Sequence, residues 1–369
     1  MQQRIHTIDY FRGLMALSVM LYHFFSWSVG VPESDSLLGR LGIYAVSSFY
    51  IVSGISLYLV YRNSRWGWRE IKSFGLKRFL RLSPVYWLAT ALMVVLYSLG
   101  NNSYEPDWFN IFENLFLVFG LYNPDGYIPV GGWSIGNEFS FYVFFSLLML
   151  SLNKRWVFAS LMIFGLLSYG VFCFFILSSD KSLAQQWGDY INPLNQVFLF
   201  FSGVVAAWLK ERYYSPGKKG AFIIACAAIF VFVFYPASGD KINIVTGWAR
   251  FVFTSTCLAV CFSLLCMPNL SLKWLSKPLG FLGDRSYTIY MLHGASFLYF
   301  DKYVAPSLGI GRPEEKLVFL LFGLAPFVLL ISFFVYRYLE VPFIQLGRKL
   351  SVTYTERKAN KGPASAGWF

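Results

Sequence analysis

Charged side chains are scarce in this chain. Asp, Glu, Lys and Arg make up 14% of its 369 residues, whereas about 25% is usual in soluble domains. Hydrophobic residues make up 56% and aromatic residues 20%, which is more apolar surface than a soluble protein of this length buries. The shortage of charge therefore excludes a water-soluble enzyme and indicates that much of the chain faces lipid, with aromatic belts at the interfaces.

The chain also lacks the cysteine pairs and the basic clusters that mark two other classes of protein. Its five cysteines are an odd number and fall inside apolar runs, so a disulfide framework is not expected. Cys257, Cys261 and Cys266 are interpreted as small core residues, with metal binding as the lesser alternative, and no metal site is predicted. The net charge of +12 comes from short loops between apolar runs, which excludes nucleic acid as a partner.

What the chain does have is a series of long apolar runs. A run of about 17–25 residues can cross a bilayer as a helix. We find such runs at residues 10–29, 41–61, 82–99, 133–152, 156–177, 190–209, 219–236, 248–267, 284–302 and 315–338. They predict an all-α polytopic membrane protein with about ten transmembrane helices. The shorter apolar stretch 109–122 is interpreted as re-entrant or interfacial.

The distribution of basic residues orients these predicted helices. If the N-terminus is cytoplasmic, most of the 31 Lys and Arg residues lie in cytoplasmic segments, as the positive-inside rule requires. An even number of spans then places both termini in the cytoplasm. Residues 1–350 are predicted to form one transmembrane domain, and the polar segment 351–369 is predicted to be a disordered cytoplasmic tail.

Ionisable residues inside apolar runs are costly in a membrane and point to function. Arg12 and His23 lie eleven residues apart on the first run, which is about 20° from a whole number of helical turns and about 16 Å along the axis. They therefore share a face, with Arg12 near the cytoplasmic end and His23 near the outer end. The alternatives are an arginine that reaches the interface and sets the topology, and a histidine that only packs.

Two further runs carry polar groups. Glu138 begins the fourth run, at a depth close to that of the histidine on the first, and Ser134 lies one turn earlier, where it can cap the helix. Glu138 is either catalytic or bonded to loop amides. Tyr287, Tyr290 and His293 are spaced three apart on the ninth run and share a broad face. This second histidine either bonds to a neighbouring helix or takes part in catalysis.

Arginine pairs and an acid mark the cytoplasmic side. Arg78 and Arg81 lie one turn apart at the start of the third run, where guanidinium groups suit phosphate, although such a pair is also common in cytoplasmic loops. Glu340, just before Pro342, is interpreted as a member of a helix-end ion pair. By depth the ionisable groups form an inner cationic layer and an outer layer: Arg12, Arg78, Arg81 and Arg285 inside, His23 and Glu138 outside, and His293 somewhat deeper.

Together these residues resemble the motifs of the acyltransferase-3 family, whose members are integral membrane enzymes that O-acetylate surface glycans and other acceptors. The matching residues, in chain order, are Ile8-Asp9-Tyr10-Phe11-Arg12-Gly13-Leu14, Arg12-x10-His23, Ser53-Gly54, Arg78-x-x-Arg81-x-x-Pro84-x-Tyr86-Trp87, Trp133-Ser134-x-x-x-Glu138-x-x-Phe141-Tyr142, Ser286-Tyr287-x-x-Tyr290-x-x-His293 and Glu340-x-Pro342. One fragment alone is weak, but the whole ordered set, over about residues 8–346, is specific.

The resemblance implies an acyl-coenzyme A donor in the cytoplasm, usually acetyl-CoA, and a bacterial inner-membrane location in contact with lipid. The implied acceptor is a hydroxyl of an extracytoplasmic glycan or lipid-linked glycan, such as O-antigen, capsule or exopolysaccharide. His23 is the implied catalytic residue, with Glu138 at the acceptor end. The predicted donor-binding residues are Arg12, Arg78 and Arg81, and the predicted supporting residues are Ser134, Tyr287, Tyr290, His293 and Glu340. Ser47 stands where members often have an acid, so a role for an acid there does not transfer.

Another class of membrane protein shares this pattern of buried charge. A proton-coupled transporter or exporter of a small polar substrate also places His, Glu and Arg inside its spans. It would move its substrate without changing it covalently. A non-enzymatic scaffold, in contrast, would tolerate neutral substitutions at Arg12, His23 and Glu138.

Overall fold

The computed structural model describes residues 5–100, 105, 107–151, 154–270 and 272–359. Within these ranges the chain forms helices joined by short loops, without a strand, which confirms the all-α class. The longer helices, numbered in chain order, are α1 (His6–Ser28), α2 (Leu37–Tyr61), α3 (Trp68–Gly100), α4 (Trp108–Phe116), α5 (Gly132–Ser151), α6 (Arg155–Val171), α7 (Pro193–Arg212), α8 (Gly217–Phe234), α9 (Gly247–Cys266), α10 (Lys273–Asp284), α11 (Ser286–Tyr299), α12 (Ala325–Val335) and α13 (Val341–Ala359).

Six helical segments of the described chain are long and apolar enough to cross a membrane. They are Leu37–Tyr61, Trp68–Leu99, Trp156–Ile176, Gly217–Phe234, Gly247–Cys266 and Pro313–Ser351. A seventh is reached if the pair Leu183–Ile191 and Pro193–Arg212, bent by 60°, counts as one span. Helices α1 and α5 also coincide with predicted spans. Their polar residues lower their mean hydropathy, so they are not among these six segments. The count of ten and the position of the termini therefore stay predictions.

The third predicted run is only part of a longer helix. Helix α3 begins at Trp68, well before residue 82, because residues 68–81 alternate apolar and polar side chains with helical period and bury Phe74. The arginine pair Arg78 and Arg81 therefore lies inside this helix rather than at its start. Both side chains therefore project from one rigid helix.

The end of the described chain is also more helical than expected. Helix α13 continues to Ala359, so it includes the first part of the segment 351–369 that was predicted to be disordered. Residues 360–369 lie outside the described residues. Just before α13, the turn Tyr336–Glu340 is a π-helix, a feature that often occurs where a helix must redirect a functional side chain.

Helix α2 lies at the centre of the bundle and packs against α1, α7 and α9. Its approach to α7 depends on Gly54, where an added Cβ would lie 2.1 Å from the carbonyl oxygen of Phe200. Gly203 on α7 faces the backbone of Ile51 just as closely. Small residues at such a contact let two helix backbones pack tightly, as is common between membrane helices. This packing fixes the position of Ser53, next to Gly54.

The apolar stretch 109–122 forms helix α4 and the short helix Phe119–Tyr122, joined at Leu117 with a left-handed backbone (φ 60°). The aromatic face of α4 is exposed, whereas Asn114 on its other face is buried. The Asn114 amide donates to the Gly126 carbonyl, and its oxygen accepts from the backbone amide of Ile128. An aromatic face beside a buried polar anchor suits a helix lying at the membrane interface, one of the two interpretations of this stretch.

Candidate active site

Three of the predicted donor-binding residues line one cavity. This arginine pocket, of about 90 Å³, lies between α1, α2, α3, α5 and α11, and Arg12, Arg78 and Arg81 all face it. Helices α1 and α3 therefore bring together arginines that are far apart in sequence. Glu138 and Tyr287 also line it.

The Arg78 guanidinium is held among aromatic rings. Its central carbon lies 5.6 Å from the centre of the Phe74 ring and 5.8 Å from that of Tyr61, within the range of cation–π attraction. Its Nε atom is buried and has no hydrogen-bond partner among the described residues. Arg12 is paired loosely with Asp9, at 3.7 Å. A buried donor left unsatisfied in a cationic pocket is suited to an anionic ligand.

Glu138 lies in the arginine pocket, so its predicted place in the outer layer is wrong. Its Oε1 atom accepts hydrogen bonds from Tyr142 Oη at 2.7 Å and from Ser53 Oγ at 3.1 Å. The predicted depth of Glu138 was counted from the end of the apolar run, and that count does not fix the height of α5 relative to the neighbouring helices. Glu138 therefore supplies negative charge among the arginines.

A second cavity lies toward the C-terminal end of α1. This histidine pocket, of about 310 Å³, is lined by His23 and by aromatic side chains from four segments of the chain. Its volume falls at the lower end of the range for small-ligand sites. The His23 ring stacks on Trp27, with ring centres 4.7 Å apart and planes 7° apart. The aromatic lining residues include Tyr22, Trp27, Tyr127, Trp133 and Trp187.

His23 and His293 form a hydrogen-bonded pair whose tautomers follow from the geometry. His293 Nδ1 lies 2.6 Å from the carbonyl oxygen of Tyr290, so this nitrogen carries a hydrogen and donates it. When His293 is neutral its Nε2 is therefore an acceptor, and His23 Nδ1, at 2.7 Å, donates to it. A neutral His23 then has its lone pair on Nε2. His293 is fully buried, whereas His23 is half-buried and reaches the pocket.

The two pockets meet at a common wall. Val46 and Tyr290 line both of them. The Tyr290 hydroxyl lies 2.9 Å from Ser134 Oγ and 3.2 Å from the Gly131 carbonyl oxygen. Gly131 has a left-handed backbone (φ 78°), and a Cβ there would lie 2.8 Å from the Tyr290 ring. The sequence predicted that Ser134 caps α5. In the structure its hydroxyl bonds to Tyr290 instead.

Of the remaining predicted residues, Tyr287 lines the arginine pocket, whereas Glu340 and Arg285 do not. The Tyr287 hydroxyl donates a hydrogen bond to the carbonyl oxygen of Leu82. Glu340 is buried and accepts from Thr288 Oγ1 at 2.6 Å, rather than forming a helix-end ion pair. Arg285 packs its guanidinium 4.1 Å from the centre of the Phe281 ring and does not line the arginine pocket. It lines a separate cavity with Asp9, near the Arg12 end of α1, so its place in the inner layer stays a prediction.

Lys241 is a residue of the histidine pocket that the sequence did not single out. It is buried, with 8% of its surface exposed, and its Nζ donates to the Tyr22 hydroxyl at 2.5 Å. It lies in the loop between α8 and α9, outside the membrane-spanning helices, where burial lowers the pKa of its ammonium group. No motif or run marks this lysine, and a lysine in a polar loop is ordinarily solvated. Only the folded arrangement of the loops reveals it.

Comparison with known proteins identifies the family. A family model described as an acyltransferase domain matches residues 5–337. The chain belongs to the acyltransferase-3 family. It is therefore an acyltransferase and an integral membrane protein, and of the two functions expected from the sequence, transfer is favoured over transport.

Individual relatives agree with this assignment. The exopolysaccharide production protein ExoZ of Rhizobium meliloti (strain 1021) is 28% identical over 330 residues, which cover 85% of this chain and 93% of ExoZ. The peptidoglycan O-acetyltransferase OatA of Listeria monocytogenes is 25% identical over 323 residues, 78% of this chain and 49% of OatA. The putative O-acetyltransferase SACOL0978 of Staphylococcus aureus is 22% identical, over 94% of this chain and 58% of that protein. The chain thus spans about half the length of the last two.

Within the acyltransferase-3 chain, the described residues contain no group of three His, Cys, Asp or Glu side chains arranged to hold a metal ion. Cys257 and Cys261 are buried free thiols on α9, and Cys266 is a half-buried one. The polar side chains that line the two pockets carry guanidinium, imidazole, carboxylate, ammonium and hydroxyl groups.

Proposed function

We propose that this acyltransferase moves an acetyl group from cytoplasmic acetyl-CoA to a hydroxyl of an extracytoplasmic glycan. The observation that carries the proposal is the His23–His293 pair, which leaves a neutral His23 with an unprotonated Nε2 in a pocket next to the arginine pocket. A base placed in this way matches the chemistry of transfer to a hydroxyl. The names of several relatives include O-acetyltransferase activity.

The arginine pocket suits the donor. Arg12, Arg78 and Arg81 offer guanidinium forks to phosphate oxygens, and the unsatisfied Nε of Arg78 has a partner once a phosphate is bound. Glu138 balances part of this charge when the donor is absent, through its place among the arginines. The thioester end of the donor then extends past Val46 and Tyr290 toward His23.

The proposed chemistry uses His23 as a general base. His23 Nε2 takes the proton of the acceptor hydroxyl, whose oxygen forms a bond to the carbonyl carbon of the thioester. The carbon–sulfur bond breaks, and His23 returns the proton to the departing sulfur, so that the products are the glycan acetate and CoA with a free thiol. His293 stabilises the imidazolium form of His23 only weakly, so its main part is to fix the orientation and tautomer of the ring.

The charge distribution supports the direction of transfer. With the N-terminus in the cytoplasm, the arginine pocket lies toward the inner side and the histidine pocket toward the outer side, with Arg12 and His23 about 16 Å apart along α1. The similarity to ExoZ, named for exopolysaccharide production, supports a polysaccharide acceptor. We also propose a location in a bacterial inner membrane, because the relatives named above come from bacteria.

The test compares wild type with His23→Ala in inverted membrane vesicles, where the cytoplasmic face is outside. Radiolabelled acetyl-CoA is added, and we measure alkali-labile label in the glycan fraction together with release of free CoA thiol. We expect the variant to lose transfer by about a hundredfold or more while still binding acetyl-CoA, because a positioned general base contributes about 10²–10⁴ to the rate.

The control variant is His6→Ala, which removes a histidine at the cytoplasmic end of α1, away from both pockets. We expect it to transfer acetyl at the wild-type rate. Undiminished transfer by a folded His23→Ala protein would contradict the role of His23. Passage of an unmodified solute through the vesicle membrane, without labelled glycan, would favour a transporter.

A further inference from the structure

Lys241 is a buried cation without a carboxylate partner. Its side chain is 8% exposed, and no ion pair to it is found among the described residues. Its ammonium group is held by Tyr22, both by the hydrogen bond to the hydroxyl and by its position 4.8 Å from the centre of the ring. An ammonium group with one neutral partner retains two donors for a ligand.

The loop that carries Lys241 is fixed by hydrogen bonds to two other loops. The neighbouring Asp240 accepts hydrogen bonds from the backbone amides of Leu183 and Ile242, at 2.9 and 2.8 Å, so its carboxylate joins two loops rather than pairing with the lysine. The Gly239 carbonyl accepts from the amide of Ser34, in a third loop. The cation is therefore held in position before any ligand arrives, which reduces the entropy lost on binding.

Arg40 fixes the start of the same loop. This buried arginine donates through Nη1 to the carbonyl oxygens of Phe232 and Val233 and through Nη2 to that of Tyr235, and so satisfies the C-terminal end of α8. Arg40 thus has a structural task in the same region. The contrast with Lys241 is informative, because the ammonium of Lys241 points into a cavity and satisfies no backbone carbonyl.

The walls around this cation are aromatic. Trp133 and Trp187 meet edge to face, with ring centres 5.6 Å apart, and Trp187 Nε1 donates to the Tyr127 hydroxyl at 3.0 Å. Rings of this kind offer an apolar face to the C–H side of a sugar and a polar edge to its hydroxyls. The pocket therefore combines a base at His23, flat aromatic walls and one positive charge that has no ion-pair partner among the described residues.

We propose that the histidine pocket binds a sugar unit that carries a carboxylate, with Lys241 as the ion-pair partner of that carboxylate and His23 beside the hydroxyl to be acetylated. The inference rests on the proposed function, because it names the acceptor class for that transfer. The acceptor is then an acidic glycan, and Lys241 is a specificity-determining residue. The donor phosphates are served by the separate arginine pocket, so Lys241 is left for the acceptor.

The test uses a matched pair of disaccharides: glucuronic acid β1,4-linked to glucose, and cellobiose, which has CH2OH in place of the carboxylate. Binding to the full-length protein in nanodiscs is measured by saturation-transfer NMR titration, with empty nanodiscs as the blank. We expect wild type to bind the acidic disaccharide about tenfold more tightly, as a buried charged hydrogen bond would give. Lys241→Met is expected to abolish this preference, and Lys241→Arg to retain part of it.

Lys181→Met is the matched control, since it removes an exposed lysine from the loop next to Leu183. We expect it to keep the full preference. Equal binding of the two sugars by wild type, binding of neither, or a preference that survives in Lys241→Met would overturn the inference. Acetyl-CoA binding is measured on the same samples, and Lys241→Met is expected to leave it unchanged. If wild type does not bind acetyl-CoA, the proposed function is contradicted. The preference between the two sugars, in contrast, tests only the acceptor pocket.

Discussion

The Nδ1 atom of His23 and the Nε2 atom of His293 lie 2.7 Å apart, across the contact between α1 and α11. The second ring is anchored by the Tyr290 carbonyl, so both tautomers are set by the backbone of one helix. This arrangement resolves the alternatives for the two histidines in part. His293 does bond to a neighbouring helix, and the partner it bonds is the proposed base.

His293→Ala should slow acetyl transfer by about tenfold to a hundredfold and leave the KM for acetyl-CoA nearly unchanged, because the His23 ring loses the acceptor that fixes its orientation. His293→Gln should retain more activity, since its amide oxygen can accept from His23 Nδ1. The measurement is the rate of CoA thiol release at saturating donor. Equal losses in the two variants, with both proteins folded, would show that the acceptor at this position is unimportant.

Arg78→Ala and Arg81→Ala should each weaken the binding of acetyl-CoA by about tenfold or more, since charged hydrogen bonds contribute about 1.5–3 kcal/mol. Arg78→Lys should fall between wild type and the alanine variant, because an ammonium group keeps the charge without the fork. Binding is measured by titration calorimetry in detergent. Arg65→Ala, at an exposed position before α3, is the control, and a loss of the same size there would point to general surface charge.

Val46→Phe should reduce acetyl transfer more than it reduces acetyl-CoA binding. Val46 is buried and faces both pockets, so a larger side chain narrows the passage between them. Val46→Ala widens the same place and serves as the control, with transfer expected to continue. For each variant, the dissociation constant for acetyl-CoA and the rate of acetyl transfer are measured and compared with those of wild type. Full turnover by a folded Val46→Phe protein would mean that the thioester does not pass this wall.

Gly54→Ala should lower the thermal stability of the protein in detergent. Its Cβ would lie 2.1 Å from the Phe200 carbonyl oxygen, so α2 and α7 must separate, at about 1–3 kcal/mol. Gly170→Ala is the matched control on α6, where an added Cβ meets nothing within 4 Å and helix propensity improves. The melting temperatures of the two variants are compared. A Gly54→Ala protein as stable as the Gly170→Ala protein would contradict tight packing at this contact.

The sequence predicted the helical class and the family because both depend on patterns that persist along the chain. Apolar length marks a membrane helix directly. Apolar length misses the first part of α3, however, where apolar residues such as the buried Phe74 are interspersed with charged ones. It also misses the bend between Ile191 and Pro193, which divides a single predicted run into two helices.

The sequence identified several of the residues that line the two pockets, but it predicted less well how these residues are arranged. Counting helical rise from the end of a run placed Glu138 level with His23, but rise along one helix does not fix the height of one helix against another. The structure places Glu138 with the arginines instead. Lys241 escaped notice because its burial arises from three loops that meet only in the folded chain. The catalytic and donor-binding roles themselves stay predictions.

The wall formed by Val46 and Tyr290 has a consequence for bioenergetics. Water that enters either pocket meets these two side chains, and Tyr290 is tied in place by Ser134 and Gly131. Without a donor bound, a proton or metal cation that approaches from one pocket therefore meets this wall, and the proposed transfer requires the wall to yield to the acyl end of the donor. Under the proposed topology, the enzyme can then hold polar groups at two levels of the bilayer while the membrane around it keeps its proton-motive force.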